Sequence, residues 1–527
     1  VVYRNSFDPT TFPNSNSYSG ASSNISIKDF DARSLRMHVT IKFDSLTSFK
    51  RLPNFTHSFA ATQTGFPTAT QHSVILPVDN RIPVWDNNGK SFLANTGGLI
   101  LNVGGQFGIA TYESSSVQII LAGTRVQDSL LNVNILDRSS QNISIQWIHL
   151  QTQATTAPLF SLSPLSLFVG GTNGNLYQYQ LNTNSLTHQT FGSNDITAIT
   201  ELPNGIYCSD ASTLYHENVS QSLPTGASTW LLAGAVSASG NFVVAAQKND
   251  NRILAFDTTL SKTLFDVSMN STILSLAIGD VNGDGEKDVV VMSAKNIYAF
   301  NRNGVMLDNF PITISRDSGF VGSPILADVD GDGLTDILAL TSDGSLFAWN
   351  NHAKLLTGFP VVAASPEATS MAAFKDSSGN FAVFTTTRDG NTQAVSLGNP
   401  YNAAKVFWSQ QFGNSLLSSE DSTVLAPSSQ QTTDFLPKAR TYNWPNPVYG
   451  NSTQIRYYVT ENATVNIKIF DLAGSKITEL NGTAIAGMDN EVTWNVSNIQ
   501  SGIYLARVEA KSAHQSSVAI IKIAVVK

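Results

Sequence analysis

Charge is what this sequence has least of. Only 13% of its 527 residues are Asp, Glu, Lys or Arg, about half the roughly 25% of an average soluble domain. Ser, Thr, Asn and Gly take their place, a composition that suits an extracellular β protein better than a cytosolic enzyme. The formal net charge is −8, so there is no basic footprint for a nucleic-acid partner. Cysteine occurs once, at Cys208, which excludes an internal disulfide. A secreted eukaryotic chain of this size usually carries several. A secreted bacterial β protein can rely instead on large cores and bound cations. No apolar run reaches the roughly 18 residues of a membrane-spanning helix. The chain opens Val1-Val2-Tyr3, with neither an initiator Met nor a signal peptide, and so is expected to begin inside a longer precursor.

Catalytic signatures are also missing. There is no His-Glu-X-X-His, and the eight histidines are scattered with no pair at helical spacing for zinc. No Gly-X-Ser-X-Gly elbow occurs. Gly89-Lys90-Ser91 lacks the glycine of a phosphate loop, because Val84 stands in its place; Asp86-Asn-Asn-Gly89 reads as a hairpin turn. Gly104, Gly105 and Gly108 miss the dinucleotide fingerprint. Cys208 sits in no motif and reads as a small core residue. The expectation is a chain without catalytic machinery, an upstream catalytic domain being left open.

What the sequence does have is one loop pattern written twice. Asp280-Val-Asn-Gly-Asp-Gly-Glu-Lys-Asp288 and Asp328-Val-Asp-Gly-Asp-Gly-Leu-Thr-Asp336 place side-chain oxygens at loop positions 1, 3, 5 and 9, with glycines at 4 and 6. Calcium, a hard cation, takes six to eight oxygens at roughly 2.3–2.6 Å. A short loop supplies them only if alternate residues point inward and glycine relieves the turn. The expected ligands are Asp280, Asn282, Asp284, Glu286 and Asp288 in one loop and Asp328, Asp330, Asp332, Leu334 and Asp336 in the other. Glu286 and Leu334, at position 7, would offer their backbone carbonyls. Position 12 is Val291 or Ala339 rather than Glu, and β runs flank both loops, so these are not EF-hands. The plainer reading is a pair of metal-free Asp/Asn/Gly hairpins. The acids could also be read as glycosidase groups, but calcium ligation accounts for them.

The surroundings of the loops repeat. Strand–turn–strand hairpins begin near His72, Val117, Leu165, Asn204, Asn241, Lys287, Thr335 and Asn380, a period of about 40–50 residues that marks a propeller. The corresponding turns Lys375-Asp-Ser-Ser-Gly-Asn380, Ser237-Ala-Ser-Gly-Asn241 and Leu202-Pro-Asn-Gly205 lack the acids of a divalent site. Tyr177, Tyr179, Tyr298, Phe300, Phe347 and Trp349 recur on the second strand of a hairpin, as blade core or, alternatively, as a sugar-binding surface. With the strands Lys295-Asn-Ile-Tyr-Ala-Phe300 and Gly344-Ser-Leu-Phe-Ala-Trp349 and the closing Asn309-Phe-Pro311 and Gly358-Phe-Pro360, each loop resembles the FG-GAP or VCBS repeat of calcium-binding β-propellers. The expected fold is all-β: a seven- or eight-bladed propeller at 59–425, a polar linker at 426–438 and an immunoglobulin-like β-sandwich at 439–527. A short β segment at 1–58 precedes them. Its period of two over Leu35–Phe43 predicts a strand. Its segment Phe12-Pro-Asn-Ser-Asn-Ser-Tyr-Ser-Gly-Ala-Ser-Ser-Asn-Ile-Ser-Ile27 is similar to the end of the catalytic region in immune-inhibitor-A-like secreted metalloproteases.

Strands are expected in the last domain at 454–459, 464–470, 491–494, 502–508 and 518–526. Its phrases Asn443-Trp-Pro-Asn-Pro-Val448, Ile469-Phe-Asp-Leu-Ala-Gly474, Asn490-Glu-Val-Thr-Trp494, Ser501-Gly-Ile-Tyr504 and Lys522-Ile-Ala-Val-Val-Lys527 resemble the type A C-terminal sorting domain of the type IX secretion system. The resemblance implies a Gram-negative bacterium of the Bacteroidota–Chlorobi group, export by the type IX machinery, and a place outside the cell or on its surface. Trp444 departs from the usual Tyr or Phe. The combined expectation is a non-catalytic propeller with two structural calcium ions, which binds a protein or glycan or assembles with itself outside the cell. The alternatives are the tail of a secreted metalloprotease precursor and, behind it, a propeller hydrolase or lyase.

Overall fold

Short runs of alternating apolar residues, interrupted by Gly, Asn and Asp turns, become strands along nearly the whole chain. The computed structural model describes residues 6–7, 25–28, 40–43, 49–61, 64–79, 81–92, 99–100, 108–113, 118–124, 128–137, 139–140, 142–224, 229–421, 435–436, 441–444, 446–459, 461–485 and 489–526. The chain divides into two compact units, 1–427 and 428–527. Among the described residues, helical structure is confined to two single turns, Pro53–Phe55 and Ala403–Lys405.

In the first unit, eight antiparallel meanders of three or four strands follow one another among the described residues, covering 68–86, 110–149, 159–190, 198–222, 230–268, 275–313, 320–362 and 368–400. Their second strands begin at Ser73, Gln118, Leu165, Gly205, Phe242, Asp288, Asp336 and Asn380, each beside a hairpin start read from the sequence. The first strands of the second to eighth sheets lie side by side in chain order, and Ala368–Lys375 of the eighth lies beside Thr68–Ala69 of the first. Thr68 Oγ1 donates to the Ile109 carbonyl at 3.0 Å, which joins the first sheet to the second. A ring of small meanders with neighbouring inner strands is a β-propeller. The recurring aromatics belong to its core. Tyr177, Tyr179, Tyr298, Phe300, Phe347 and Trp349 are all buried, which excludes them as a sugar-binding surface.

Both ends of the first unit close this ring. Lys50–Arg51 and His57–Ser58 pair antiparallel with Asn391–Pro400 of the eighth sheet. Between them Phe55 is buried and packs on Phe374 and Phe384, with ring centroids 5.1 and 6.0 Å away. The expected boundary after residue 58 therefore falls inside a sheet. Strands at Ile25–Lys28 and Thr40–Phe43 pair with each other. Residues 35–39 of the expected strand, and most of the metalloprotease-like segment, lie outside the described residues.

At the other end, residues 405–421 follow the inner edges of the first strands right round the ring. This clasp takes hydrogen bonds from backbone N–H groups of successive sheets. Asp328 N donates to the Lys405 carbonyl (3.0 Å) and Ala373 N to Ser409 (2.8 Å). Ala69 N donates to Gln410 Oε1 (2.8 Å). Thr111, Phe160, Glu201 and Gly234 then donate to the carbonyls of Ser415, Leu416, Ser418 and Ser419 at 2.6–3.1 Å. The sixth sheet is met by packing, since Gly279 leaves only 3.1 Å between a built Cβ and Phe407 Cβ. Inner-strand edges that would otherwise leave buried amides unpaired are thus satisfied.

The second unit is a sandwich of a three-stranded sheet, Tyr442–Trp444, Ser452–Tyr458 and Asp489–Asn495, and a four-stranded one, Lys476–Ala484, Ala463–Asp471, Gly502–Lys511 and Ser516–Val525. Val465, Ile467 and Ile469 point into its core, as their alternation requires. Lys476–Ala484 is a strand beyond those expected from the sequence; it is an edge strand with mostly exposed side chains, so no apolar face announces it. Phe435 and Leu436, expected in the linker, are buried in this core; the rest of the linker lies outside the described residues. The quoted motifs hold turns and ends. Asn446 Nδ2 donates to the Lys522 carbonyl (2.8 Å), and Ala524 N donates to Asn446 Oδ1 (2.9 Å), fixing the last strand. Gly474, at φ 85°, ends the Asp471–Gly474 turn.

Two outcomes are expected. Phe55→Ala removes a buried ring that anchors the closing strands, and should cost about 3–5 kcal/mol in urea unfolding; a loss well under 1 kcal/mol would contradict this closure. Asp343 caps a turn of the seventh sheet. Burial opposes its charge, but hydrogen bonds from Thr341, Ser345 and Ser318 outweigh burial and bring its pKa from 3.8 to about 2. Since the folded value is the lower one, the turn's contribution is full above about pH 4 and is lost as pH falls towards 2. Asp343→Asn should therefore flatten the stability profile in that window, read by tryptophan fluorescence; parallel profiles would contradict it.

Candidate metal centre

The two loops grow from the same place in neighbouring sheets. In the sixth sheet Gly279 is the last residue of the first strand, paired with Asp288. In the seventh, Ala327 pairs with Asp336. Position 9 of each loop therefore opens the second strand, and position 1 follows the first.

Backbone amides then fold each loop around its first carboxylate. Asp280 Oδ1 accepts from Gly283 N (2.7 Å) and Asp284 N (3.1 Å), and Oδ2 from Gly285 N (2.9 Å). Asp328 repeats this with Gly331 N (2.8 Å) and Gly333 N (3.0 Å). The turns need positive φ at positions 4 and 6, met by Gly283 (78°), Gly285 (87°), Gly331 (84°) and Gly333 (87°). At position 9 one oxygen is held and the other is not. Asp288 Oδ2 accepts from Val281 N at 2.9 Å, and Asp336 Oδ2 from Val329 N at 2.8 Å. Asp288 Oδ1 and Asp336 Oδ1 are both buried without a hydrogen-bond partner. Two equivalent orphaned carboxylate oxygens are a costly arrangement unless a cation completes it.

The charge around these oxygens has the same sense. Burial pushes the Asp288 carboxyl far above the ordinary carboxylate range, and the nearby Asp284 and Asp280 push it further. Burial also brings Asp336 to about 8, helped by Asp330 and Asp332. Asp328, Asp330 and Asp332 each present an oxygen, all within 4.8 Å of one another. Every side-chain donor is oxygen, which fits a hard divalent cation and not zinc. Glu286 turns its carboxylate away from its own loop and accepts hydrogen bonds from the hydroxyls of Ser237 and Ser239, which leaves its carbonyl as the group it could offer. Leu334 leans towards the first loop, its Cδ2 2.9 Å from a Cβ built on Gly283.

A third turn at the same place in the eighth sheet is the natural control. Asp376 Oδ1 accepts from Ser378 N (2.8 Å) and Asn380 N (2.9 Å), and Oδ2 from Ser396 Oγ (2.6 Å). Both of its oxygens are satisfied by protein, so nothing there calls for a cation.

Other functional residues could not be found from spacing. Lys287, at position 8 of the first loop, donates to Asp421 Oδ2 at 2.7 Å, with both side chains only 1% exposed. Its ammonium also sits 4.8 Å over the Phe407 ring. Removing one partner of such a pair costs on the order of 3–5 kcal/mol. Lys405 Nζ donates to the Gly333 carbonyl of the second loop at 2.9 Å. Inside the ring, a cavity of about 330 Å³ is bordered by Thr155, Thr197, Thr229, Lys248, Trp408 and Phe412, and no carboxylate lines it among the described residues. A second, of about 550 Å³, includes Glu201, Glu217 and Glu420. Burial raises the Glu201 carboxyl, against a hydrogen bond from Ser161 Oγ at 2.6 Å. Cys208 is buried, and burial pushes its thiol up, as befits a core residue.

Residues 443–522 match the family model described as secretion system C-terminal sorting domain. The second unit carries a sorting domain. The type IX sorting tail makes this a secreted or cell-surface protein of the Bacteroidota that engages the type IX secretion system, and no helix among the described residues is long and apolar enough to cross a membrane. No curated protein matches the chain. Similar solved structures include BamB from Moraxella catarrhalis, at 13% identity and TM-score 0.43, over 63% of this chain and 95% of that one. PorZ, titled an essential bacterial surface component of the type-IX secretion system of Porphyromonas gingivalis, aligns at 12% identity and TM-score 0.36 over 96% of this chain and 74% of that one. Sqt1 from Saccharomyces cerevisiae aligns at 12% and TM-score 0.47, over 64% and 97%. At such scores these likenesses add nothing to the site; the sheet order and the ring of inner strands define the propeller.

The Asp376 comparison predicts a clean contrast. Asp376→Ala should lower the melting temperature equally in calcium and in EDTA, by the equivalent of about 1–3 kcal/mol for its lost hydrogen bonds. Asp336→Ala loses its bonds from the Val329 and Asp330 amides in both buffers and the ion only in calcium, so it should lower the melting temperature further in calcium than in EDTA. The same calcium dependence for both variants would contradict the assignment.

Proposed function

We propose that the protein is a non-catalytic propeller, stabilised by two structural calcium ions, that is exported through its sorting domain and serves in binding or assembly at the bacterial surface. The observation that carries the calcium part is the pair of buried, unpartnered oxygens, Asp288 Oδ1 and Asp336 Oδ1. Asp280, Asn282, Asp284 and Asp288 would hold one ion, with the Glu286 carbonyl. Asp328, Asp330, Asp332 and Asp336 would hold the other, with the Leu334 carbonyl. The metal's contribution is charge neutralisation that pins the ends of two neighbouring sheets, and the FG-GAP or VCBS likeness of these loops agrees with it. A low-charge surface rich in Ser, Thr and Asn suits protein or glycan contacts.

The non-catalytic reading draws on the absence of catalytic motifs from the sequence and on the carboxylate-free lining of the 330 Å³ cavity. The glutamates beside the second cavity favour the hydrolase alternative only if Glu201→Gln abolishes a measured activity.

Melting in calcium chloride, magnesium chloride and EDTA tests the calcium reading. A cation at 100 times its Kd adds about 2.7 kcal/mol per site. Calcium should therefore raise the melting temperature by several degrees over EDTA, and magnesium by much less. Equal melting in all three would overturn the reading. For export, deletion of 439–527 should leave the protein inside the producing cell; normal release of the truncated chain would contradict that route.

A further inference from the structure

The two loops hold opposite ends of one segment, the clasp at 405–421. Its first residue is fixed by the second loop, where Asp328 N donates to the Lys405 carbonyl at 3.0 Å and Lys405 Nζ donates to the Gly333 carbonyl at 2.9 Å. Its last residue is fixed by the first loop, where Lys287 Nζ reaches Asp421 Oδ2 at 2.7 Å in a fully buried pair. Lys287 also lies over Phe407 near the start of the clasp, so one loop residue touches both ends. Between the ends the clasp pairs with the seventh sheet at Val406 and Trp408, takes one hydrogen bond each from a backbone amide of the eighth, first, second and third sheets, and takes several from the fourth and fifth.

From this juxtaposition we propose that calcium in the two loops acts as the latch of the clasp, so that metal binding and closure of the inner edge of the ring are one coupled event. The inference rests on the calcium reading and extends it to regulation of the same site. Asp328 contributes its amide to the clasp and its carboxylate to the loop, so an ion that orders the carboxylates orders the amide as well. Lys287 lies between the loop acids and Asp421, and its position depends on how the first loop is folded. With the ions absent, the crowded carboxylates repel one another and both anchors loosen together. Low external calcium would then open the channel edge and expose the backbone carbonyls of 405–421. Calcium outside the cell would close it, after export. Coupling is reciprocal: a clasp that calcium stabilises must in turn tighten calcium.

Hydrogen exchange of the full chain, followed by peptide mass spectrometry in calcium and in EDTA, tests this alongside a calcium titration by calorimetry. Removing calcium should speed exchange on the order of tenfold in 405–421, at the sheet amides that donate to it (Ala373, Thr111, Phe160, Glu201 and Gly234) and in the two loops, and leave the third-sheet strand Asn175–Gln180 unchanged. If calcium binds and the loops respond but 405–421 does not, the latch is overturned and the calcium reading stands. If the titration shows no binding, both fall together. Lys287→Met with Asp421→Leu removes one tie without leaving a lone buried charge. It should weaken calcium binding on the order of tenfold and speed exchange in 405–421 even with calcium present. Lys405→Met, at a half-buried position, tests the other tie and should weaken calcium binding in the same sense. Unchanged calcium affinity in both variants would overturn the coupling.

Discussion

A ring of small sheets depends on its closure. Each small sheet of a repeat fold cannot bury its apolar faces alone and needs its neighbours, and each inner strand leaves an edge of unpaired amides towards the channel. The first unit meets both demands with its two ends. Lys50–Arg51 and His57–Ser58 extend the eighth sheet. The clasp at 405–421 then pairs with the inner strands of the seventh, eighth and first to fifth sheets and packs on the sixth. Chain connectivity alone would leave the ring open between the eighth sheet and the first.

The loops at 280–288 and 328–336 sit where this closure begins and ends. Their acids are carried on turns with glycine at positive φ, and one oxygen of each position 9 carboxylate is driven into the interior with nothing to meet. Asp376, at the same place in the next sheet, meets Ser396 instead. One turn is therefore closed by a hydroxyl, and two keep the unpartnered oxygens on which the calcium proposal rests. Local chemistry and ring closure are linked through Lys287 and Lys405, which belong to both.

Much of this was legible in the sequence, for identifiable reasons. The hairpin starts recur because each sheet repeats the same turn between its first and second strands, and Gly, Asn and Asp mark such turns. The loops stood out because carboxylates at alternate positions with intervening glycines have few other uses. The alternation Val465, Ile467, Ile469 gave a strand with one buried face. The clasp could not be read. Its residues, Lys405-Val-Phe-Trp-Ser-Gln-Gln-Phe-Gly-Asn-Ser-Leu-Leu-Ser-Ser-Glu-Asp421, follow no period, because the segment is held through backbone bonds to strands spread over the whole ring. The Lys287–Asp421 pair spans 134 residues, a separation that no local pattern records. Lys476–Ala484 escaped for a different reason: an exposed edge strand has no apolar face to announce it. Phe435 and Leu436 read as linker because polar neighbours surround them.

The most direct test of the account is the number of calcium ions bound by the metal-free chain, measured by isothermal titration calorimetry. The account predicts two ions per chain, one lost in Asp288→Ala and the other in Asp336→Ala. A chain that binds none, or that still binds two in both variants, would contradict it.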